Sequence, residues 1–239
     1  MGISKMVQQL SPSLTLKISG KAKQMKREGK PVIDFSVGEP DFHTPEHVKA
    51  AGIKAIEANF TGYTQNDGIP ELKQAIIQRL KDDDNLDYSP NEIIVSTGAK
   101  MSLYLVMAAV LNPGDEVIVP APYWVSYPEQ VKLTGAVPVI VDTLESNNFL
   151  LTGDQLRGAL TEKTRALILN NPSNPTGGAY DEEQLRSILA VAHEKNILII
   201  ADEIYSKITY NDFNFIRTVN AMPETKSHTV IIDGASKAY

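Results

Sequence analysis

The sequence predicts an α/β fold, a largely parallel sheet with helices on both faces, and three observations carry that reading. Six short apolar runs recur along the chain: "EIIVSTGAK" (92–100), "EVIVPAP" (116–122), "VPVIVDT" (137–143), "RALILNNP" (165–172), "ILIIADE" (197–203) and "TVIIDGASK" (229–237). Their apolar cores are continuous, the pattern of strands covered on both sides. Helical patterns such as "MSLYLVMAAVL" and "DEEQLRSILAVAHEKN" separate several of them, as a parallel sheet requires. Polar and reactive side chains crowd the carboxyl end of nearly every run, where open α/β sheets bind ligands.

The elements follow in order. Residues 1–45 read as an arm: a Ser-Pro start, a basic helical stretch in "SPSLTLKISGKAKQMKREGK", then a short strand in "VIDFSVGEPDFHTP" before Gly38-Glu39-Pro40-Asp41. A helix begins at Pro45 with Thr44 as its N-cap, and Val48, Ala51, Ile53, Ala55 and Ile56 are its apolar positions. A second helix starts at Pro70, with Leu72, Ile76, Ile77 and Leu80 apolar. The six strands and their helices then fill the chain to residue 239, without a fixed repeat or a low-complexity linker. The domain boundary falls near residue 45.

With 42% hydrophobic and 22% charged residues the composition is that of a packed globular protein. A net charge of −6 argues against nucleic acid or an anionic membrane as the main partner. The chain contains no cysteine, so disulfides and thiolate metal sites are ruled out, and the cytoplasm is the expected compartment. "MGISKMVQQL" has no apolar signal core and no apolar run approaches the ~20 residues of a membrane span, so a soluble, unanchored protein is expected. His43 and His47 have the i, i+4 spacing of helical metal pairs, but His43 precedes the expected cap and no third ligand follows at the right spacing. No metal is expected. His193 and His228 read as ordinary helix-surface and loop residues.

Several strand ends carry chemistry. "STGAK" takes small residues from a strand into a helix, so backbone N–H groups and the helix dipole can face a phosphate. It lacks the P-loop spacing, and neither G-x-G-x-x-G nor G-x-S-x-G occurs, which disfavours a nucleotide enzyme, a dehydrogenase or an α/β hydrolase. Trp124, the only tryptophan, sits at a strand end beside Pro122 and can cover a flat heterocycle or fill the core. "NNPSNPTG" is a turn-rich loop more particular than a connection requires, whereas "ADEIY" alone is better read as a solvated strand end.

Taken in order, "VGEPDF", "GYTQNDGIPELKQAI", "STGAK", "PGDEVIVPAPYWVSYP", "NNPSNPTG", "ADEIY" and "GASKAY" resemble the class I aminotransferases of the aspartate aminotransferase branch, from about residue 11 to residue 239. The resemblance implies pyridoxal 5′-phosphate as cofactor. It implies that Lys237 holds the cofactor as a Schiff base and then moves the substrate α-proton. Asp202 would face the pyridine nitrogen, and Tyr205 and Asn174 the phenolic oxygen. Trp124 would stack on the ring. Gly98, Ala99, Lys100 and Ser236 would serve the phosphate, as would Tyr63 from a neighbouring subunit, which implies a homodimer. Gly38, Trp124 and Asn174 would border the substrate.

The implied substrates are an amino acid and a 2-oxo acid, aspartate with 2-oxoglutarate first, and prephenate or an aromatic 2-oxo acid as the alternative acceptor. The implied organisation is an N-terminal arm with part of a small domain at 1–45 and a partial cofactor-binding large domain at 46–239. In the family an arginine shortly beyond the lysine grips the phosphate, another in the C-terminal domain grips the substrate carboxylate, and a further strand inserts between the first and sixth runs. All three fall outside this sequence, so a truncated enzyme or a non-catalytic cofactor-binding fragment is expected.

Overall fold

The computed structural model of the protein describes residues 2–238. Five of the six apolar runs form strands: β1 (Glu116–Ala121), β2 (Val137–Asp142), β3 (Thr164–Asn170), β4 (Leu198–Asp202) and β5 (Thr229–Ile232). They make one parallel sheet in the order β2-β1-β3-β4-β5. The helices are α1 (Lys5–Gln8), α2 (Leu14–Arg27), α3 (Glu46–Glu57), α4 (Pro70–Asp84), α5 (Ala99–Val110), α6 (Ser126–Leu133), α7 (Gly153–Ala159), α8 (Glu182–Glu194) and α9 (Thr218–Ala221).

Both faces of the sheet are buried because its side chains alternate and both sets are apolar. Val117, Val119, Ala166, Ile168 and Ile200 pack with Leu103 and Met107 of α5 and Tyr127 and Val131 of α6. Ile118, Leu167, Leu169, Ile199 and Ala201 pack with Leu156 of α7 and Leu185, Ile188 and Leu189 of α8. Asp181 and Gln184 close a capping box at the start of α8, and Thr152 and Gln155 do so for α7. The register places Asn170, Asp202 and Ile232 side by side, so three strands end level with one another.

Three local expectations are corrected. The run 92–100 is not a strand: Val95 N–H donates to Asp67 O and Ile94 is exposed. A strand exists only through a ladder partner, and among the described residues none of the five strands pairs with this segment. The short strand in "VIDFSVGEP" is likewise absent; Asp34 instead accepts bonds from the Ser36 N–H and hydroxyl and from Lys26. The helix after Thr44 starts one residue later than read, with Pro45 as its cap and no side-chain capping bond.

The arm buries little of its apolar surface. Phe35 is 92% exposed, and Ile33 and Phe42 are also open to solvent. The exposed stretch continues past residue 45, because α3 buries none of its residues.

A buried charge cluster ties the ends of β4 and β5 together. Arg217, 1% exposed, donates through Nη1 to Glu203 (2.8 Å), through Nη2 to Asp233 (3.0 Å) and through Nε to Asp84 at the end of α4. Glu203 is fully buried; its other oxygen accepts the Thr218 N–H at 2.7 Å. Burial pushes the Glu203 carboxyl up, and the Arg217 charge and the Thr218 bonds pull against that. Removing the cation from such a cluster leaves buried carboxylates without a partner. We expect Arg217→Met to lower the unfolding free energy of the full-length protein by about 3–5 kcal/mol in urea titration. A loss below about 1 kcal/mol would show that the cluster holds nothing together.

Candidate active site

The level strand ends and the starts of the following helices border an open cleft of about 240 Å³. Gly98, Ala99, Lys100, Trp124, Asn174, Asp202, Tyr205, Ser236 and Lys237, all singled out in the sequence, line it together with Leu103, Tyr127 and Ile204.

Asp202 ends β4 and is 3% exposed. Its Oδ2 accepts the Tyr127 hydroxyl at 2.6 Å, and Oδ1 has a longer contact from Ile204 N–H at 3.4 Å. Burial pushes its carboxyl up, and the Tyr127 bond draws it down. Glu203, the next residue, turns into the Arg217 cluster, so "ADEIY" is not a solvated strand end: its two carboxylates serve two buried sites.

The loop after β3 is fastened from both sides. Asn170 Nδ2 donates to the Asp202 carbonyl (2.9 Å) and its Oδ1 accepts Asn174 N–H (2.7 Å). Asn171 Oδ1 accepts Tyr180 N–H (3.1 Å). This brings Asn174 Nδ2 to the Tyr205 hydroxyl, to which it donates at 3.3 Å. Burial pushes the Tyr205 hydroxyl up, the Asn174 amide draws it down, and the Asp202 charge pushes it up again.

At the start of α5, Gly98 has φ +88°, a left-handed conformation that glycine adopts without strain. Gly98 O accepts the first bonds of the helix, from Met101 and Ser102 N–H, so the Ala99 and Lys100 N–H groups precede the helical ladder. Lys100 Nζ lies 4.8 Å above the Trp124 ring. The chain after β5 turns back against the loop after β4, where a Cβ on Gly234 would come within 3.0 Å of Ile204 Cδ1. That turn delivers Ser236 and Lys237 to the cleft, and Lys237 Nζ donates to Gly38 O of the arm at 2.9 Å. The arm therefore reaches the site through a backbone carbonyl.

Tyr63 is not part of the cleft and is fully exposed. Tyr127 lies within the "PYWVSYP" motif but has no role assigned by sequence, although its spacing of three residues from Trp124 places the two on one side of a helical turn. Arg217 gives no sequence signal, since no motif surrounds it. His193 and His228, unrelated in sequence, stack with ring centroids 5.2 Å apart. Among the described residues, no group of three or more His, Asp or Glu side chains is placed to hold a metal, and no helix is long and apolar enough to cross a membrane.

The parallel sheet gathers at its strand ends an amine, a buried carboxylate, an aromatic wall and a helix start, all on one cleft. The chain belongs to the family described as aminotransferase class I and II, whose model matches residues 30–239. It is 49% identical to the aspartate aminotransferase of Bacillus sp. (strain YM-2) over 98% of its own length and 59% of that protein's. It is 45% identical to the aspartate/prephenate aminotransferase of Nitrosomonas europaea, over 100% of this chain and 60% of the other. The crystal structure of the Rhizobium meliloti aspartate aminotransferase superposes with a TM-score of 0.96 at 42% identity, covering 100% of this chain and 60% of that one. The chain thus spans about 60% of the length of the relatives it matches.

Tyr205 provides a test of the site's electrostatics. Replacing Asn174 removes the one bond that draws the Tyr205 hydroxyl down and leaves burial and the Asp202 charge, which both push it up. In Asn174→Ala, Tyr205 should titrate at higher pH than in the parent protein, as followed by ultraviolet absorbance with Tyr205→Phe as the reference. A midpoint that stays or falls would contradict this account.

Proposed function

We propose that this chain supplies the cofactor-binding large domain of a pyridoxal-phosphate aminotransferase that transfers the amino group of aspartate to 2-oxoglutarate, with residues 1–45 as the arm and part of a small domain. The observation that supports it most directly is the convergence of Lys237, Asp202, Trp124 and the Asn174–Tyr205 pair on one cleft. Members of the family use pyridoxal 5′-phosphate, which when bound supplies a sink for the electrons left on the substrate α-carbon. The donor set fits it: a buried carboxylate for a ring nitrogen, a hydroxyl–amide pair for a phenolic oxygen, an indole for the ring face, and N–H groups with Ser236 for the phosphate.

In this reading Lys237 Nζ would hold the cofactor covalently and, when free, would carry the substrate α-proton. Asp202 would serve the ring nitrogen with its negative charge inside a low-dielectric cleft, where it acts most strongly. Tyr205 and Asn174 hold the phenolic oxygen, and Trp124 fixes the ring plane. Lys100, beside Trp124, is placed for the distal carboxylate of a dicarboxylic substrate. Gly38, Trp124 and Asn174 border the substrate.

A homodimer in the cytoplasm completes the proposal, with Tyr63 reaching the phosphate of the second subunit. Its support is the exposure of Tyr63 and of the apolar arm residues Ile33, Phe35 and Phe42, a surface that invites cover. Prephenate or an aromatic 2-oxo acid is the second reading of the acceptor, favoured by the aspartate/prephenate name of a relative at 45% identity. The third reading is a non-catalytic cofactor-binding module, which would keep Lys237 and Asp202 in one cleft without turnover. Absorption that appears with pyridoxal phosphate and shifts on adding aspartate supports the enzyme; absorption that stays inert supports the fragment.

Two substitutions test the assignment in the full-length protein. Lys237→Ala should abolish covalent attachment, checked by borohydride reduction and peptide mapping. A label found on Lys100 in the parent protein would sink the assignment. Asp202→Asn should leave cofactor binding measurable while transamination, followed by steady-state kinetics, falls by several orders of magnitude, since each ~1.4 kcal/mol of lost transition-state stabilisation is about tenfold. Near-normal turnover would make Asp202 a structural residue only.

A further inference from the structure

Tyr127 lies on the first turn of α6, three residues beyond Trp124, and its N–H donates to the Trp124 carbonyl at 3.0 Å. The side chain is 3% exposed yet lines the cleft. It touches two of the cleft's predicted residues at once. Its hydroxyl gives Asp202 Oδ2 a bond of 2.6 Å, and its ring meets the Trp124 ring edge-on, with centroids 5.4 Å apart and planes at 84°.

The bond to Asp202 is the short one. The other carboxylate oxygen has only the 3.4 Å contact from Ile204 N–H. A carboxylate this buried, with no cation bonded to it, is costly to keep charged and free to turn unless a donor holds it. The groups around it are Tyr127 from α6, Tyr205 after β4, Asp233 after β5, and Lys100 and Lys237 across the cleft. Asp233 opposes its charge, and Tyr127 offsets that opposition. Burial and the Asp202 charge push the Tyr127 hydroxyl well above the ordinary tyrosine range, so it remains a donor wherever Asp202 is ionised.

We propose that Tyr127 is the positioning residue of this cleft: its hydroxyl holds one oxygen of Asp202 while its ring edge sets the plane of Trp124. Carboxylate and aromatic wall are thereby fixed relative to each other before a flat, protonated nitrogen heterocycle binds between them. The inference rests on reading the cleft as a pyridoxal phosphate site, and it gives one side chain control of both the charge and the stacking surface.

Two variants of the full-length protein separate the two contacts. Tyr127→Phe keeps the ring against Trp124 and removes the bond to Asp202; Tyr127→Leu removes both. The first readout needs no cofactor: the titration of Asp202 followed by carbon NMR of labelled aspartate, assigned with Asp202→Asn. Its midpoint should rise in both variants, because the bond lost is one that favours the charged form. The second readout is affinity for pyridoxal 5′-phosphate by equilibrium dialysis, expected to weaken about tenfold in Tyr127→Phe through loss of a charge-assisted bond, and further in Tyr127→Leu. An unchanged Asp202 midpoint in Tyr127→Phe overturns the proposal, as does equal affinity in parent and both variants. If the parent protein fails to bind pyridoxal phosphate, the cofactor reading fails instead, and the Asp202 midpoint still decides whether Tyr127 holds the carboxylate.

Discussion

The guanidinium of Arg217 is the contact on which the rest of the site depends. It joins the residues that immediately follow two neighbouring strands, Glu203 after β4 and Asp233 after β5, and adds the end of α4 through Asp84. A planar fork with several fixed donors can satisfy three carboxylates at once, and a point charge on a flexible stem cannot do so with the same geometry. Arg79 adds a second cation to Asp233, at 3.2 Å. Because Glu203 is committed to this cluster, Asp202 projects to the other side of the chain, into the cleft. The two strand ends are locked in depth, and the turn carrying Ser236 and Lys237 starts from a fixed point.

The cleft itself follows a different electrostatic rule from the cluster beneath it. Arg217 is surrounded by opposite charge, whereas Asp202 receives a hydroxyl and a long backbone contact. A carboxylate supported by neutral donors keeps its charge available for a cation that arrives with a ligand. The amine of Lys237 sits across the same cleft, bonded to a carbonyl of the arm and not to Asp202. Separating the acid from the amine prevents them from neutralising each other.

The sheet positions these groups because parallel strands all end on the same edge. Asn170, Asp202 and Ile232 stand in register, and the loops that leave them fold over a single opening. Around this centre the packing is uneven. The two faces of the sheet are filled, while the arm and α3 expose large apolar side chains.

The α/β class, the parallel sheet and five of its strands are legible in the sequence, since continuous apolar runs need cover on both faces wherever they lie. So is the helix start at Pro70, because proline at the first helical position is a local signal. The ordered motifs also name nine of the cleft residues without reference to any tertiary contact. What only the tertiary structure decided has one physical origin: it depends on partners distant in sequence. The segment 93–97 has strand composition but no ladder neighbour, so its propensity goes unused. Tyr127 sits near Trp124 by helical spacing, yet its bond to Asp202, 75 residues away, exists only because α6 packs on the sheet. Arg217 reads as an ordinary surface arginine until folding surrounds it with three carboxylates from separate elements; a buried charge takes its meaning from neighbours that local sequence does not name.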